Sequence, residues 1–389
     1  MFGVYVHIPY CIQRCGYCDF ATYEQNKILP PEEYIEVLKR EIISKAHLVP
    51  TKHLDTIYFG GGTPSLIPSK LILSLVELFA KLGFKTSPQT EMTLEINPAT
   101  LNKEKMKDYF SAGINRFSVG AQTFNDTQLK KLGREHNSKQ TIETLEFLKS
   151  YNINYSFDVL FALPNQTLVD LEHDLKMIAE FQPAHISPYC LTLKEDHFLN
   201  KNRPLDEEQI KMFQLIHEHL VGLSYHRYEI SNYSKKGFES KHNRLYWDDA
   251  NYWGVGLSAH SYINQPGWGT RFWNQNSIQD YVPFVQSLKE KPWTHFTEFL
   301  PKDHFENLEK HQSLTDFCHI SLRRAEGINT ADLIGKFSSS TANKVLSVLK
   351  QKQEEGLLKL ENNRYQLTDE GVHLSNQVFA ALTFLAKEI

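Results

Sequence analysis

The stretch Tyr5-Val-His-Ile-Pro-Tyr-Cys-Ile-Gln-Arg-Cys-Gly-Tyr-Cys-Asp-Phe20 runs a β-rich apolar segment into three cysteines, Cys11, Cys15 and Cys18, spaced C-x3-C-x2-C. A [4Fe–4S] cube ordinarily takes four thiolates, one for each iron. Three thiolates on one short loop hold three irons and leave the fourth open to a small molecule. An open position separates a reactive metal site from a structural one. Zinc is the rival reading, but structural zinc needs four ligands and usually draws them as two separated pairs. His7 offers a fourth ligand on paper. It lies inside the strand-like segment, however, where a hydrogen-bonded core histidine is the plainer expectation. Cys190 and Cys318 stand alone and read as small buried hydrophobes.

Outward from this loop, β-rich runs alternate with amphipathic ones up to about residue 235. Strands are predicted at Val4–Ile8, Thr56–Phe59, Thr93–Ile96, Arg116–Val119, Tyr155–Leu160 and Ala184–Pro188. Helices are predicted at Glu32–Ala46, Lys70–Leu82, Lys103–Ser111, Lys139–Tyr151, Leu168–Phe181 and Glu207–Leu223, several behind a Ser, Thr, Asp or Pro start. Six βα alternations imply an α/β fold with a parallel sheet and right-handed crossovers. A partial (β/α)6 TIM-like barrel fits the count better than a doubly wound sheet, although periodicity does not separate them. Function would then collect at the C-terminal ends of the strands.

Three segments follow: a barrel over 1–235, an aromatic-rich accessory segment over 236–300, and a helical domain over 301–389. The middle segment holds all five tryptophans, Trp247, Trp253, Trp268, Trp273 and Trp293, and shows little regular period. In the last segment, helices at Lys302–Arg323 and Thr341–Glu355, a hairpin over Leu358–Leu367 and a final helix Asp369–Lys387 suggest a winged-helix-like module, or equally a helical cap on the barrel.

The 389 residues, 41% hydrophobic and 23% charged with a net charge of −4, are ordinary globular material without the basic field of a nucleic-acid binder. No stretch approaches the length of a membrane span, leaving only peripheral membrane association open. No secretory signal is evident, and five cysteines form no disulfide framework, so a cytoplasmic location is expected.

Gly60-Gly61-Gly62-Thr63-Pro64 follows the strand at Thr56. Glycines permit positive φ and close approach to a ligand, with bare N–H groups pointing outward. A plain tight turn between strand and helix explains the run equally well.

The cysteine spacing, Tyr17 just before the third cysteine and this Gly-Gly-Gly-Thr-Pro turn together resemble the radical S-adenosylmethionine (SAM) superfamily. The resemblance implies that the open iron chelates the amino and carboxylate groups of SAM. The reduced cluster would then cleave the sulfonium to methionine and a 5′-deoxyadenosyl radical. Further matches narrow it: Leu94-Glu-Ile-Asn-Pro98, Asn115-Arg-Phe-Ser-Val-Gly-Ala-Gln-Thr-Phe124, Leu132-Gly-Arg-Glu-His136, Phe157-Asp-Val-Leu-Phe161, His242-Asn-Arg-Leu-Tyr-Trp247 and Tyr252-Trp-Gly-Val-Gly256. These resemble the oxygen-independent coproporphyrinogen III oxidases and their HemW-type heme chaperone relatives. Asp19-Phe20 stands where the oxidases carry a further cysteine, which favours the chaperone branch.

That branch implies heme binding and delivery to acceptor hemoproteins. The alternative is radical oxidative decarboxylation of coproporphyrinogen propionates, so enzymatic activity is left open. A nucleic-acid-modifying protein and a metal-structural protein fit less well. By position, the resemblance implies that Cys11, Cys15 and Cys18 bind the cluster, and that Tyr5, Tyr17, Gly61, Gly62, Thr63, Glu95, Gln122, Arg134 and Asp158 contact SAM. Glu95 would accept from the SAM amino group, Arg134 would take its carboxylate, and Asp158 would accept from ribose hydroxyls. Each has a plainer reading, a helix cap for Glu95 or Asp158 and a surface ion pair for Arg134. His242 is the candidate heme ligand, unless it and Asn243 merely pin a loop. His260 is a second candidate.

Overall fold

The computed structural model describes residues 1–98, 100–288 and 294–389. Trp293, counted with the aromatic segment, lies outside the described residues. The six predicted strands all form, as β1 (Phe2–Ile8), β2 (Thr56–Gly61), β3 (Glu91–Ile96), β4 (Arg116–Gln122), β5 (Asn154–Phe161) and β6 (His185–Cys190). They are parallel and lie side by side in chain order, which is the order of a barrel and not of a doubly wound sheet.

The helices between them are α1 (Pro31–Lys45), α2 (Ser69–Lys81), α3 (Lys103–Ser111), α4 (Asp126–Leu132), α5 (Ser138–Ser150), α6 (Leu168–Phe181) and α7 (Asp206–Gly222). Local chemistry sets their starts: Asn137 with Gln140 and Thr167 with Asp170 form capping boxes on α5 and α6. Ser69 is not a cap. It is the first residue of α2, and its hydroxyl donates to Asp108 on α3 at 2.6 Å. The short α4 escapes the sequence reading because seven residues carry too little period to detect.

Side chains along β1–β5 alternate strictly. Val4, Val6, Ile57, Phe59, Leu94, Phe117, Val119, Phe157 and Val159 face the helices and form the main core. The intervening Tyr5, Tyr58, Glu95, Ser118 and Asp158 line an interior cavity. Strands buried on both faces ordinarily read as continuous apolar runs. Here a lumen of polar side chains takes the place of the packed interior layers of a full barrel.

The parallel sheet does not end at β1. Asn251–Val255 adds a seventh parallel strand beside it, with Tyr5 opposite Gly254. Antiparallel strands His260–Ile263, Thr270–Trp273 and Phe305–Asn307 continue beyond, while Asn232–Ser234 and His226–Glu229 extend the other edge from β6. Periodicity hid these strands because each has five residues or fewer. Trp253 is fully buried against Phe79 and Phe84.

A second core gathers Leu314, Cys318, Ile328, Leu333, Val345, Leu349 and Tyr365. Three helices, Lys310–Arg323, Thr330–Phe337 and Ser339–Glu354, precede a hairpin of Leu358–Glu361 and Arg364–Leu367, whose second strand pairs with Ile328–Asn329. This is the winged-helix-like arrangement. Asn362 and Asn363 both take positive φ at the hairpin turn. The expected helices at either end are interrupted: Lys302–His304 is a single 3-10 turn, and the last helix breaks into Asp369–His373, Ser375–Ala381 and a short turn. Cys318 is buried as expected, but Cys190 is exposed at the end of β6.

Candidate functional site

The cysteine loop sits over the C-terminal ends of the barrel strands and is tied down from far along the chain. Gly16 donates its N–H to the Leu132 carbonyl at 3.1 Å, and His197 Nε2 donates to the Gly16 carbonyl at 2.9 Å. Arg14 reaches back to the Cys18 carbonyl at 3.0 Å. All three thiols are half-buried and line one cavity of about 900 Å³, within the range of cofactor sites. Burial, with Cys18 next, pushes the Cys11 thiol up to about 11, so metal must displace its proton. A single ion needs three or more donors converging on one point, and no such group occurs among the described residues. A cube asks instead for one thiolate on each of three irons, and this loop supplies that donor set. His7 is not a fourth ligand. Its Nε2 donates to the Ala21 carbonyl at 2.9 Å, which leaves Nδ1 to accept from Tyr5 Oη at 3.0 Å.

The glycine turn fits the loop by shape. Gly61 has φ of +113°, and a Cβ there would come within 2.5 Å of the His7 ring; one at Gly62 would meet the Tyr10 carbonyl at 2.6 Å. The expected bare N–H groups are absent. Gly61 donates to Glu95 at 2.9 Å, Gly62 to the Ile8 carbonyl at 2.9 Å and Thr63 to the Tyr10 carbonyl at 2.7 Å. The turn therefore offers close approach, not a nest of free donors.

Glu95 neither caps a helix nor reaches the surface. Its two oxygens accept from Tyr58 Oη at 2.7 Å and from Gly61 N–H, and burial pushes its carboxyl up to about 7. Asp158 accepts from Ser118 at 3.3 Å, and burial raises it to about 6, with the Ser187 hydroxyl opposing. Arg134 is no surface ion pair. It donates to the Gly120 carbonyl and lies 3.6 Å from Cys15 Sγ. Burial works against its charge, but Tyr17, Cys15 and Cys11 outweigh that and raise its pKa. One edge of the Arg134 fork is thus already engaged. Gln122 ends β4 in a left-handed conformation (φ 69°) beside a break in register, an unusual backbone for a side chain and one found at functional sites.

Deeper in the cavity, Tyr58 stacks on Tyr5 and on His242, with centroids 6.1 and 5.0 Å apart. His242 is the second residue of the helix α8 (Lys241–Trp247), whose Lys241 and His242 N–H groups donate to the Glu91 carboxylate at 3.0 Å each. Both His242 ring nitrogens are occupied, Nδ1 with Thr56 Oγ1 at 2.6 Å and Nε2 with Tyr246 Oη at 3.0 Å. Burial lowers its pKa to about 3, so it is neutral. Iron could reach Nε2 only by displacing Tyr246, leaving Thr56 to hold Nδ1. His260 is exposed at the cavity edge and stacks on Trp273 at 5.5 Å.

The cavity thus gathers Cys11, Cys15, Cys18, Tyr5, Tyr17, Gly61, Gly62, Thr63, Glu95, Gln122, Arg134, Asp158 and His242. Tyr58, Arg116, Ser118, His185 and Ser187 share it and were not singled out from sequence. For four of them the signal was register: Arg116 and Ser118 on β4, and His185 and Ser187 on β6, stand two residues apart and so share one face of their strand.

An open-cornered cysteine loop above a parallel half-barrel defines the radical SAM class. The sequence profile of the Radical SAM superfamily matches residues 5–178, and that of the HemN C-terminal domain matches residues 308–374. Heme chaperone HemW of Bacillus subtilis is 32% identical over 389 residues, 98% of this chain and 99% of its own. The HemW of Buchnera aphidicola subsp. Schizaphis graminum is 39% identical over 266 residues, 68% of this chain and 70% of its own. The solved structure of Escherichia coli coproporphyrinogen III oxidase (HemN) superposes with a TM-score of 0.82 at 19% identity, covering 98% of this chain and 90% of that one, and shows a shared fold. The chain belongs to the HemW heme chaperone family of radical SAM proteins. Membership in that superfamily implies a [4Fe–4S] cluster and SAM. No helix among the described residues is long and apolar enough to cross a membrane.

Proposed function

We propose that this chain is a heme chaperone that binds heme in the cavity beneath its cluster loop and delivers it to acceptor hemoproteins. The observation that carries the reading is one cavity of about 900 Å³ joining the three cysteines to a floor of Tyr5, Tyr58, Tyr246, Tyr252 and neutral His242. Flat aromatic walls and a neutral imidazole suit a porphyrin and its iron. The relatives named above are heme chaperones, which supports the same reading. A cytoplasmic site of action without nucleic-acid partners is part of the proposal, as is the division at residues 235 and 300.

Cys11, Cys15 and Cys18 would hold the cluster, and Tyr5, Tyr17, Gly61, Gly62, Thr63, Glu95, Gln122, Arg134 and Asp158 would surround SAM. A cluster with an open iron supplies one electron to a chelated sulfonium. This chain's own residues do the rest. Glu95 accepts from a cationic amine, while Arg134 keeps positive charge beside Cys15 and offers its remaining N–H groups to a carboxylate. Asp158, anchored by Ser118, presents its remaining acceptor capacity to hydroxyls. Thr56 holds His242 Nδ1, which leaves Nε2, bonded to Tyr246, as the nitrogen an iron would take.

The test is anaerobic: reconstitute the cluster, titrate heme, and record the Soret band for wild type, His242→Ala and His260→Ala. Stoichiometric uptake that shifts in one variant supports heme carriage and assigns the ligand. No uptake together with decarboxylation of added coproporphyrinogen would establish the oxidase alternative.

A further inference from the structure

Arg116 opens β4, is 2% exposed, and projects into the lumen with Ser118, Gly120 and Gln122. A guanidinium stays charged in any protein environment, so a buried one needs an anion or a full set of acceptors. Arg116 has neither. Its Nε is buried without a hydrogen-bond partner, and no carboxylate among the described residues lies within 4 Å of it.

The obvious partners are engaged elsewhere. Glu95 accepts from Tyr58 and Gly61, and Asp158 from Ser118. Their carboxyls sit at about 7 and about 6 despite the cation nearby, whereas a contact ion pair would draw them down. Behind Arg116, His185 donates or accepts at Tyr228 Oη (2.8 Å), and burial, with Arg116 next, holds that imidazole neutral. The wall therefore puts no carboxylate in contact with the guanidinium; Glu95 and Asp158 act on it only from a longer range. Arginine that only filled space would be replaceable by an apolar residue without the desolvation cost. A planar fork aimed into a cavity is suited to a two-oxygen anion.

Depth decides which anion. The cluster loop covers the C-terminal ends of the strands, whereas Arg116 is the first residue of its strand, six residues before Gln122. Across the sheet Arg116 stands opposite Thr93, Thr93 opposite Tyr58 and Tyr58 opposite Tyr5, so it is level with the aromatic floor, two residues (about 7 Å) below the level of Glu95 and six before Gln122. Arg134 already stands at that upper level, beside Cys15. We propose that Arg116 is the anchor for a carboxylate of the cargo in the inner chamber, a porphyrin propionate, and so sets both selectivity for the free acid and the orientation of the ring. This rests on the heme reading above and adds to it the group that recognises the ring's edge.

The experiment compares hemin with hemin dimethyl ester, which has the same ring and iron without the free carboxylates. Binding to the cluster-reconstituted full chain is followed by the Soret band for wild type, Arg116→Gln and Arg116→Lys. Cluster absorbance and circular dichroism confirm that each variant is folded. Wild type should prefer the acid by about tenfold or more, the scale of a charge-assisted hydrogen bond. Arg116→Gln should bind acid and ester alike, at the wild-type affinity for the ester. Arg116→Lys, which keeps the charge and loses the fork, should fall between, and it carries the comparison alone if the Arg116→Gln variant does not fold. Equal wild-type affinity for acid and ester, or a preference that survives Arg116→Gln, overturns the assignment and leaves heme carriage standing. No heme uptake by wild type removes the heme reading itself, and the assignment with it.

Discussion

Glu95→Gln separates the stability of this site from its use. Burial lifts the Glu95 carboxyl from 4.5 to about 7. At 1.36 kcal/mol per unit this is about 3 kcal/mol at full burial, and about 1–2 kcal/mol once cavity water around the half-buried side chain is allowed for. The sign follows from linkage. The folded state binds the proton more tightly, so the stabilisation is complete below 4.5 and is lost as pH rises through 7. Glutamine cannot ionise and keeps it at all pH. Its amide oxygen can still accept from Gly61, but Tyr58 loses its acceptor, at a cost of about 1 kcal/mol that does not vary with pH. The difference in unfolding free energy, variant minus wild type, should therefore grow by about 0.5–1 kcal/mol between about pH 5.5 and pH 8, the rest of the change falling below pH 5.5. Urea unfolding of the cluster-free full chain at both pH values reads it. In the reconstituted protein the same variant should bind SAM about ten- to a hundredfold more weakly, because a charge-assisted acceptor for its amine is gone. A stability difference that does not change with pH would refute the desolvation argument. Undiminished SAM affinity would refute the assignment of the carboxylate.

Two further outcomes follow from the same geometry. Gly61→Ala should lower stability by about 2–5 kcal/mol, from positive φ and from the His7 clash together, whereas Gly83→Ala, at φ +82° with open space around it, should lose only about 1 kcal/mol; equal losses in chemical denaturation would count against the clash. Glu41 accepts from Lys45 at 2.7 Å, Tyr281 at 2.5 Å and Gly256 N–H at 2.9 Å, all buried, so Glu41→Ala strands a buried ammonium and should cost about 3–5 kcal/mol, read as a fall in Tm with Glu41→Gln intermediate.

The sequence by itself determined that three cysteines share one loop and in what order the barrel strands follow. Three cysteines within eight residues need no tertiary information to come together, and strands β1–β6 with their helices other than α4 announced themselves by period and start signals. Glu95, Gln122 and Asp158 were legible through motifs on those strands. The strands after residue 235 were not, because each is too short to carry a period and gains its stability from pairing within a sheet that β1 anchors.

Only the tertiary structure decided how these residues are used. The glycine turn proves to be a steric fit against His7 and Tyr10, its N–H groups already bonded. His242 is held on both nitrogens by residues 186 positions before it and 4 after it. Arg116 reads from sequence as an ordinary polar residue at a strand start. Closing six strands around a lumen buries it there with its Nε unpartnered, and burial without a partner is a property of three-dimensional neighbours that no one-dimensional pattern contains.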